Sequence, residues 1–366
     1  MPQVKPELES FVKIKVVGVG GSGCNAVSRM VQKRIKGVEF IGLNTDAQAL
    51  HFAKIPNKIL LGKNVTRGLG AGMNVELGRK AVEESREEIE EALKGSDMVF
   101  VTCGLGGGTG TPGIPVVAEI ARNLNALTIG VVTKPFSFEG AQRMAIAEEG
   151  LKELKDKVDS LIVIPNDRVL SIIDEKTTLI EAFSKIDNIL AQAVQAISEI
   201  ITKPGLVNVD FADVRTIMKD SGLALMGIGK AKGEGRMVEA VKQAISSPLL
   251  EVSIDGARGV LFMLSGGEDL TMKEVNDGAK IITQAVDPMA KIIFGAVIDE
   301  ELRKGEVQAT VIATGFNHRS EKNNFKQNSN SSQIKETPKP KEIILESDED
   351  DEDRWDIPAF LRKGKV

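Results

Sequence analysis

The chain has 366 residues, 42% hydrophobic and 27% charged, enough for one large or two ordinary globular domains with a sizeable core. A formal net charge of −5 speaks against a nucleic-acid-binding surface, which needs a basic stripe, and no run of about 18 apolar residues offers a direct membrane span. Two cysteines (Cys24, Cys103) and two distant histidines (His51, His318) exclude a zinc site and a Ser-His-Asp system, so acid–base chemistry falls to carboxylates and no protein-held metal is expected. With no secretory signal, the expected compartment is the cytoplasm.

Residues 1–10 are polar and expected to be a flexible N-terminus. Residues 13–17 read as a buried strand, followed by Gly18-Val19-Gly20-Gly21-Ser22-Gly23-Cys24-Asn25 and a helical pattern through Ala26, Val27, Met30 and Val31. Glycine at such a turn brings backbone amides close to a ligand at a helix N-terminus, the natural place for phosphate. Gly18, Gly20 and Gly23 also fit the dinucleotide fingerprint, with Glu39 or Asp46 at about the right separation for a ribose hydroxyl. A nicotinamide-dependent oxidoreductase therefore stays open at this point. Short apolar runs at 38–43, 98–101, 127–132 and 161–164 alternate with helical patterns, which implies a parallel sheet covered on both faces. Its ligands belong at the carboxyl ends of the strands, where Asn44-Thr45-Asp46 and Pro165-Asn166-Asp167 also fall.

A second glycine loop, CGLGGGTGTPGIP at 103–115, follows the run at 98–101 and precedes another helix. Two such loops suggest one ligand with several phosphates. No glycine is followed by Lys-Ser or Lys-Thr, so a Walker A nucleotidase is excluded. A third cluster, Gly68-Leu69-Gly70-Ala71-Gly72, reads alone as a flexible loop. Glu139 and Arg143 stand four apart and are expected on one helix face. The longest helical pattern runs from 178 to 202, with Leu179, Phe183, Ile186, Leu190, Ala193, Val194, Ile197, Ile200 and Ile201 as its stripe, and it stops at Lys203-Pro204-Gly205. Asp210 and Asp213 then share a face at a helix start, where helix capping is the bland alternative to chemistry.

Beyond Gly222, strands at 223–228, 259–264, 291–298 and 307–313 with helices at 235–245 and 272–285 form a smaller α+β domain, residues 227–235 being a loop between its elements. Residues 317–353 are Asn-, Ser-, Lys- and Gln-rich with an acidic run, the composition of a disordered linker. The tail at 354–366 carries Asp356, Ile357, Pro358, Phe360 and Leu361, an apolar cluster suited to docking a partner as a short helix.

GGGTGT at 106–111, the loop at 20–25 and NVDFADV at 208–214 together resemble the FtsZ family of bacterial division GTPases, within the tubulin superfamily. The resemblance runs from residue 13 to the tail. It implies an α/β fold with a parallel-sheet GTP-binding domain at 11–177, a long central helix at 178–203, a catalytic loop and following helix at 204–222, an α+β domain at 223–316, and the disordered tail. It implies GTP and GDP as ligands, held at Gly21, Ser22, Gly23, Cys24, Asn25, Gly108, Thr109 and Gly110, with Mg²⁺ carried mainly on the phosphates. Glu139 and Arg143 would contact the ribose and nucleotide, Phe183 would stack on the base, and Asn166 and Asp187 would read guanine. It places the cluster at 68–72 over the terminal phosphate. Asn208, Asp210 and Asp213 would be catalytic. The separation along the central helix, roughly 30 Å at 1.5 Å per residue, keeps them from the chain's own nucleotide, so a head-to-tail homopolymer shares the site. The resemblance further implies a cytokinetic ring at mid-cell and a tail that binds FtsA-like membrane anchors. Pro112 departs from the signature and removes one amide, which leaves open a scaffold that binds GTP without hydrolysing it.

Overall fold

Apolar runs without alternation become central strands when helices cover both faces of a sheet. The computed structural model describes residues 12–170, 176–202, 209–247, 254, 256–299 and 302–316. In the first half β1 (Ile14–Val19) runs directly into α1 (Gly20–Gln32), and β2 (Val38–Asn44) leads through α2 (Ala47–Phe52) to β3 (Asn57–Leu60). After α3 (Val75–Glu84) and α4 (Arg86–Leu93), β4 (Met98–Gly104) passes into α5 (Gly110–Asn123). Then come β5 (Leu127–Lys134), α6 (Ala141–Lys155), β6 (Ser160–Pro165) and α7 (Asn166–Leu170). All pairings among β1 to β6 are parallel, so their carboxyl ends share one edge. One face is packed by α1, α8 (Leu179–Thr202) and α9 (Phe211–Met218), the other by α4, α5 and α6.

The second half comprises β7 (Gly222–Lys232), α10 (Arg236–Ile245), β8 (Gly259–Gly266), α11 (Met272–Ala285), β9 (Lys291–Ile298) and β10 (Glu306–Thr314). β10 lies antiparallel between β7 and β8, and β9 joins β8 in parallel after the α11 crossover. β7 pairs with β6 from Ser160↔Gly222 onward, so both halves share one ten-stranded sheet, ordered β3-β2-β1-β4-β5-β6-β7-β10-β8-β9.

Three expectations change. Residues 227–232 belong to β7 rather than to a loop, and Gly229 is there for packing: a Cβ would lie 2.0 Å from the Ala240 carbonyl oxygen on α10. Phe183 leaves the buried stripe of α8 and is 41% exposed, whereas Ile186, Leu190, Ala193, Val194, Ile197 and Ile200 stay inside. Glu139 and Arg143 are not on one helix: Ser137–Glu139 form a 3₁₀ turn, Gly140 has φ 99°, and α6 starts after it. A left-handed glycine ends one turn and starts another.

Candidate functional site

The two glycine loops close on each other at the carboxyl edge. Gly20 has φ 75°, and a Cβ on it would lie 2.9 Å from the Gly110 amide nitrogen. A Cβ on Gly23 would lie 2.6 Å from the Thr102 carbonyl oxygen, so glycine is what lets α1 rest on β4. The N-termini of α1 and α5 therefore converge, each with first-turn amides that lack intrahelical partners and a positive dipole end. Around Gly21 and Gly107 the space is open.

Side chains in these loops serve mostly to hold the backbone. The Gly104 amide donates to Ser22 Oγ at 2.9 Å, and the Gly106 amide to Thr111 Oγ1 at 2.8 Å. The Cys24 thiol points into the core, 3.6 Å from the Leu43 carbonyl oxygen, and burial pushes its pKa up to about 12. What Cys24 can offer a ligand is its backbone, not its sulfur.

Thr109 Oγ1 lies 2.7 Å from Thr45 Oγ1, which brings in the third glycine segment. The Gly70 amide donates to the Thr45 carbonyl at 3.1 Å, and the Ala47 amide to the Gly68 carbonyl at 3.0 Å. Five residues of this loop, Arg67, Gly68, Gly70, Gly72 and Met73, have positive φ, two of them carrying a side chain. The backbone of Met73 would meet a Cβ on Gly108 at 2.8 Å. Residues 67–73 are thus a tethered strap against the phosphate loop.

Neither ribose candidate from the dinucleotide spacing fits. Glu39 pairs with Lys15, 3.5 Å away, and takes a hydrogen bond from Asn57 Nδ2; it sits near the amino end of β2, away from the loops. Asp46 caps α2 through the Ala49 amide at 2.9 Å.

On the other side of the loops, Arg143 Nη1 lies 3.0 Å from Glu139 Oε2, so the pair forms across the Gly140 break. Glu139 Oε1 accepts from the Phe136 amide at 2.8 Å. Arg143 runs beside Gly106, where a Cβ would meet its Cγ at 2.7 Å. Buried Arg143 Nε and Asn166 Oδ1 have no hydrogen-bond partner among the described residues. An orphaned donor and an orphaned acceptor beside a phosphate-shaped loop point to a ligand.

A cleft of about 670 Å³ has a lining that includes Asn25, Arg29, Phe183 and Asp187. Glu139, Arg143 and Asn166 are not part of that lining. Phe183 meets Phe136 edge-on with centroids 5.7 Å apart, and exposed Phe138 stacks on Phe136 at 4.8 Å. Asp187 Oδ2 accepts from Arg29 Nε at 2.7 Å. Burial raises the Asp187 pKa and the Arg29 hydrogen bond opposes the rise. Arg29, Thr45, Phe136 and Phe138 were not expected as site residues; only Thr45, at a strand's carboxyl end, carried a positional signal.

Asp210 and Asp213 lie elsewhere. Asp210 precedes α9 without a side-chain capping bond, its carbonyl accepting from the Asp213 amide at 3.0 Å, and both residues are exposed. Asp210 therefore makes no capping bond, while Asp213 stands in the first turn of α9, where a carboxylate also favours the positive helix end. α8 ends at Thr202, whose Cγ2 would be 2.8 Å from a Cβ on Gly37, just before β2 begins. α9 leads to Gly222, which pairs with Ser160 at the amino end of β6. The acid pair is bracketed by two anchors at the amino edge, about one strand length, roughly 20 Å, from the glycine loops. Asn208 and the whole tail, including Asp356, Ile357, Pro358, Phe360 and Leu361, lie outside the described residues.

The chain is also similar to known proteins. Residues 13–174 match the GTPase domain of the Tubulin/FtsZ family, and residues 222–317 the C-terminal domain of the FtsZ family. Among solved structures the chain is similar to an empty FtsZ dimer from M. jannaschii, with TM-score 0.80 and 49% identity over 83% of this chain and 88% of that one. A point mutant of FtsZ from M. jannaschii matches with the same score and identity, over 83% of this chain and 91% of that chain. A GDP-bound CetZ1 monomer from Haloferax volcanii, 22% identical over 84% of this chain and 95% of that chain, TM-score 0.70, shares the fold.

Proposed function

The chain belongs to the FtsZ family of tubulin-like GTPases, and from that premise we propose that it is a polymerising cytoskeletal protein that forms the cytokinetic ring at mid-cell in a dividing bacterium. GTP binding and hydrolysis come with the GTPase domain. In this reading the amides of residues 21–25 and 108–110 hold the phosphates, Glu139 and Arg143 the ribose side, and Phe183, Asn166 and Asp187 the base. A carboxylate accepts from guanine N1–H and its N2 amine; adenine offers no such pair.

The supporting observation is the separation of glycine loops and acid pair on opposite edges of one sheet. Two carboxylates roughly 20 Å from a phosphate cannot act on it within one chain. Head-to-tail stacking brings the acid edge of one subunit onto the nucleotide of the next, and a heterologous contact that does not close makes a filament. Exposed apolar side chains on both edges favour such a contact: Leu69, Met73 and Phe138 beside the loops, Met289 and Ile292 at the amino ends of the strands. Asp210 and Asp213, with Asn208, then orient the attacking water and take its proton, and loss of the γ-phosphate weakens the joint.

The donors around the glycine loops are amides and hydroxyls, and among the described residues no group of three or more His, Cys, Asp or Glu is placed to hold a metal ion. That set suits a Mg²⁺ brought in on the phosphates with its own waters, where it neutralises charge on the phosphate oxygens. Pro112 stands in the first turn of α5, where an N–H has no intrahelical partner, so the helix loses no hydrogen bond to it; the one amide it takes from the phosphate loop is what keeps a scaffold that binds GTP without hydrolysing it as the second reading. Among the described residues no helix is long and apolar enough to cross a membrane. Docking of Asp356, Ile357, Pro358, Phe360 and Leu361 on an FtsA-like anchor supplies the tether in this reading.

The test is phosphate release from GTP with Mg²⁺ across protein concentrations. Activity per molecule should be near zero when dilute and climb as subunits associate. Constant activity at every dilution would mean a self-contained site and defeat the shared one; GTP bound without release would leave only a scaffold.

A further inference from the structure

The ladder between β5 and β6 ends at Lys134↔Pro165, and both segments run on beyond the sheet edge, one into the Ser137–Glu139 turn and the other into α7. The turn's own backbone bonds are local: the Glu139 amide donates to the Phe136 carbonyl at 3.0 Å and the Gly140 amide to the Ser137 carbonyl at 3.3 Å. A single turn is unfavourable by itself, because it fixes several dihedrals for very few bonds. Buried Phe136 anchors it on one side. On the other side Gly140, at φ 99°, has open space where a Cβ would be, so nothing packed there sets the turn's direction.

A restraint comes from the neighbouring strand's exit. Asp167, 30 residues further on, accepts from the Ser137 amide through Oδ1 at 3.0 Å and from the Ser137 hydroxyl through Oδ2. A carboxylate that takes both donors of one residue fixes direction as well as distance, and both bonds are charge-assisted. In the turn so held, Glu139 Oε1 accepts from the Phe136 amide and Oε2 faces Arg143, which leaves each oxygen a second lone pair. We propose that Asp167 is a positioning residue for ribose recognition: its clamp on Ser137 sets the turn so that the remaining lone pairs of Glu139 meet the ribose hydroxyls. Asp167 itself touches no nucleotide in this scheme. The proposal rests on the reading of Glu139 as the ribose acceptor.

Equilibrium binding of GTP and of 2′,3′-dideoxyguanosine triphosphate, which lacks both ribose hydroxyls, to the dilute full chain tests the clamp. Asp167→Ala should weaken GTP by roughly 10-fold and the dideoxy probe hardly at all, as for a lost hydrogen bond to a charged group, so the GTP-to-probe ratio falls by the same factor. Equal weakening of both, with the ratio at wild type, would make Asp167 structural only and overturn the proposal. Asp167→Asn keeps an oxygen for the Ser137 amide and offers its own amide N–H to the hydroxyl, so the ratio should return to within about 2-fold of wild type. A fall as deep as alanine's would trace the effect to charge rather than to the clamp and would also overturn it. Glu139→Ala separates the two layers, because it should lower the ratio at least as far as Asp167→Ala. If it does so while Asp167→Ala leaves the ratio unmoved, only the clamp fails; an unmoved ratio in Glu139→Ala sinks the ribose reading and the clamp with it.

Discussion

The two edges of the central sheet are built from different materials. At the carboxyl edge, glycine loops are packed backbone to backbone so tightly that Gly20, Gly23 and Gly108 have no room for a Cβ. At the amino edge, Asp210 and Asp213 stand exposed at a helix start, and among the described residues Asp210 makes no side-chain capping bond. Binding needs fixed amides, whereas a group that acts on a neighbour must remain free until the neighbour arrives. Damage should therefore read out differently: loss of binding from one edge, loss of turnover with binding intact from the other.

The largest effect belongs to the amino edge. Asp213→Ala should lower GTP turnover by roughly 10²- to 10⁴-fold, the usual range for a positioned acid or base, with GTP affinity unchanged. Mixed with an Asp187→Asn partner that cannot hold GTP, it should recover part of that turnover, because its own intact nucleotide then meets a neighbour's intact acid pair. Failure of both results would remove Asp213 from the chemistry. Next comes the carboxyl edge. Gly108→Ala places a Cβ 2.8 Å from the backbone nitrogen, Cα and carbonyl carbon of Met73. Overpacking of this kind costs about 1–3 kcal/mol, and because it pushes the strap away from the phosphate loop, GTP affinity should fall together with Tm. Titration calorimetry and thermal melts would separate a binding loss from simple unfolding.

How much of this was legible in the sequence depended on whether the signal was local. Both glycine loops follow apolar strands at short range, and the stripe on α8 repeats at helical spacing, so each announces itself. Arg29 does not, because its partner lies 158 residues away and an arginine among helical residues looks like solvated surface. Glu39 and Asp46 matched a spacing, but spacing does not say which end of a strand a residue occupies, and Glu39 lies near the wrong one. The i,i+4 separation of Glu139 and Arg143 suggested a helix; Gly140 broke it and the pair formed anyway. Glycine at 229 reads as part of a loop because flexibility and close helix packing leave the same letter in the sequence. The proximity of α10 to Gly229 is what separates the two readings.

A smaller effect sharpens the contrast within the carboxyl edge, between backbone-held phosphate and side-chain-read base. The Asp187 carboxyl must be ionised to accept from guanine, and burial raises its pKa above the ordinary aspartate value. GTP affinity should therefore start to fall on acidification at a higher pH than for an exposed aspartate, and that limb should vanish in Asp187→Asn. The sign for folding is opposite. A carboxyl whose folded pKa exceeds its unfolded one favours the fold when protonated, and this contribution is lost as pH rises through the folded value. Asp187→Asn should thus lose guanine affinity with little or no loss of Tm at neutral pH. A parallel drop in both would mean the carboxylate is a structural member of the α1–α8 contact rather than a reader of the cleft.

The smallest expected change tests whether the phosphate loop works through backbone alone. Cys24 follows Gly23 in that loop, yet its thiol faces the Gly18 and Leu43 carbonyls inside the sheet. Cys24→Ser keeps a donor toward those oxygens and leaves the loop amides where they are, so GTP affinity should stay within about 2-fold, less than a typical net hydrogen bond. Thiol reagents should likewise leave the folded protein unmodified, since burial holds both Cys24 and Cys103 in the unreactive thiol form and out of reach. A 10-fold loss of affinity in Cys24→Ser without a change in Tm would mean that the side chain reaches the ligand. The phosphate loops would then not be the backbone-only surface that distinguishes them from the acid edge.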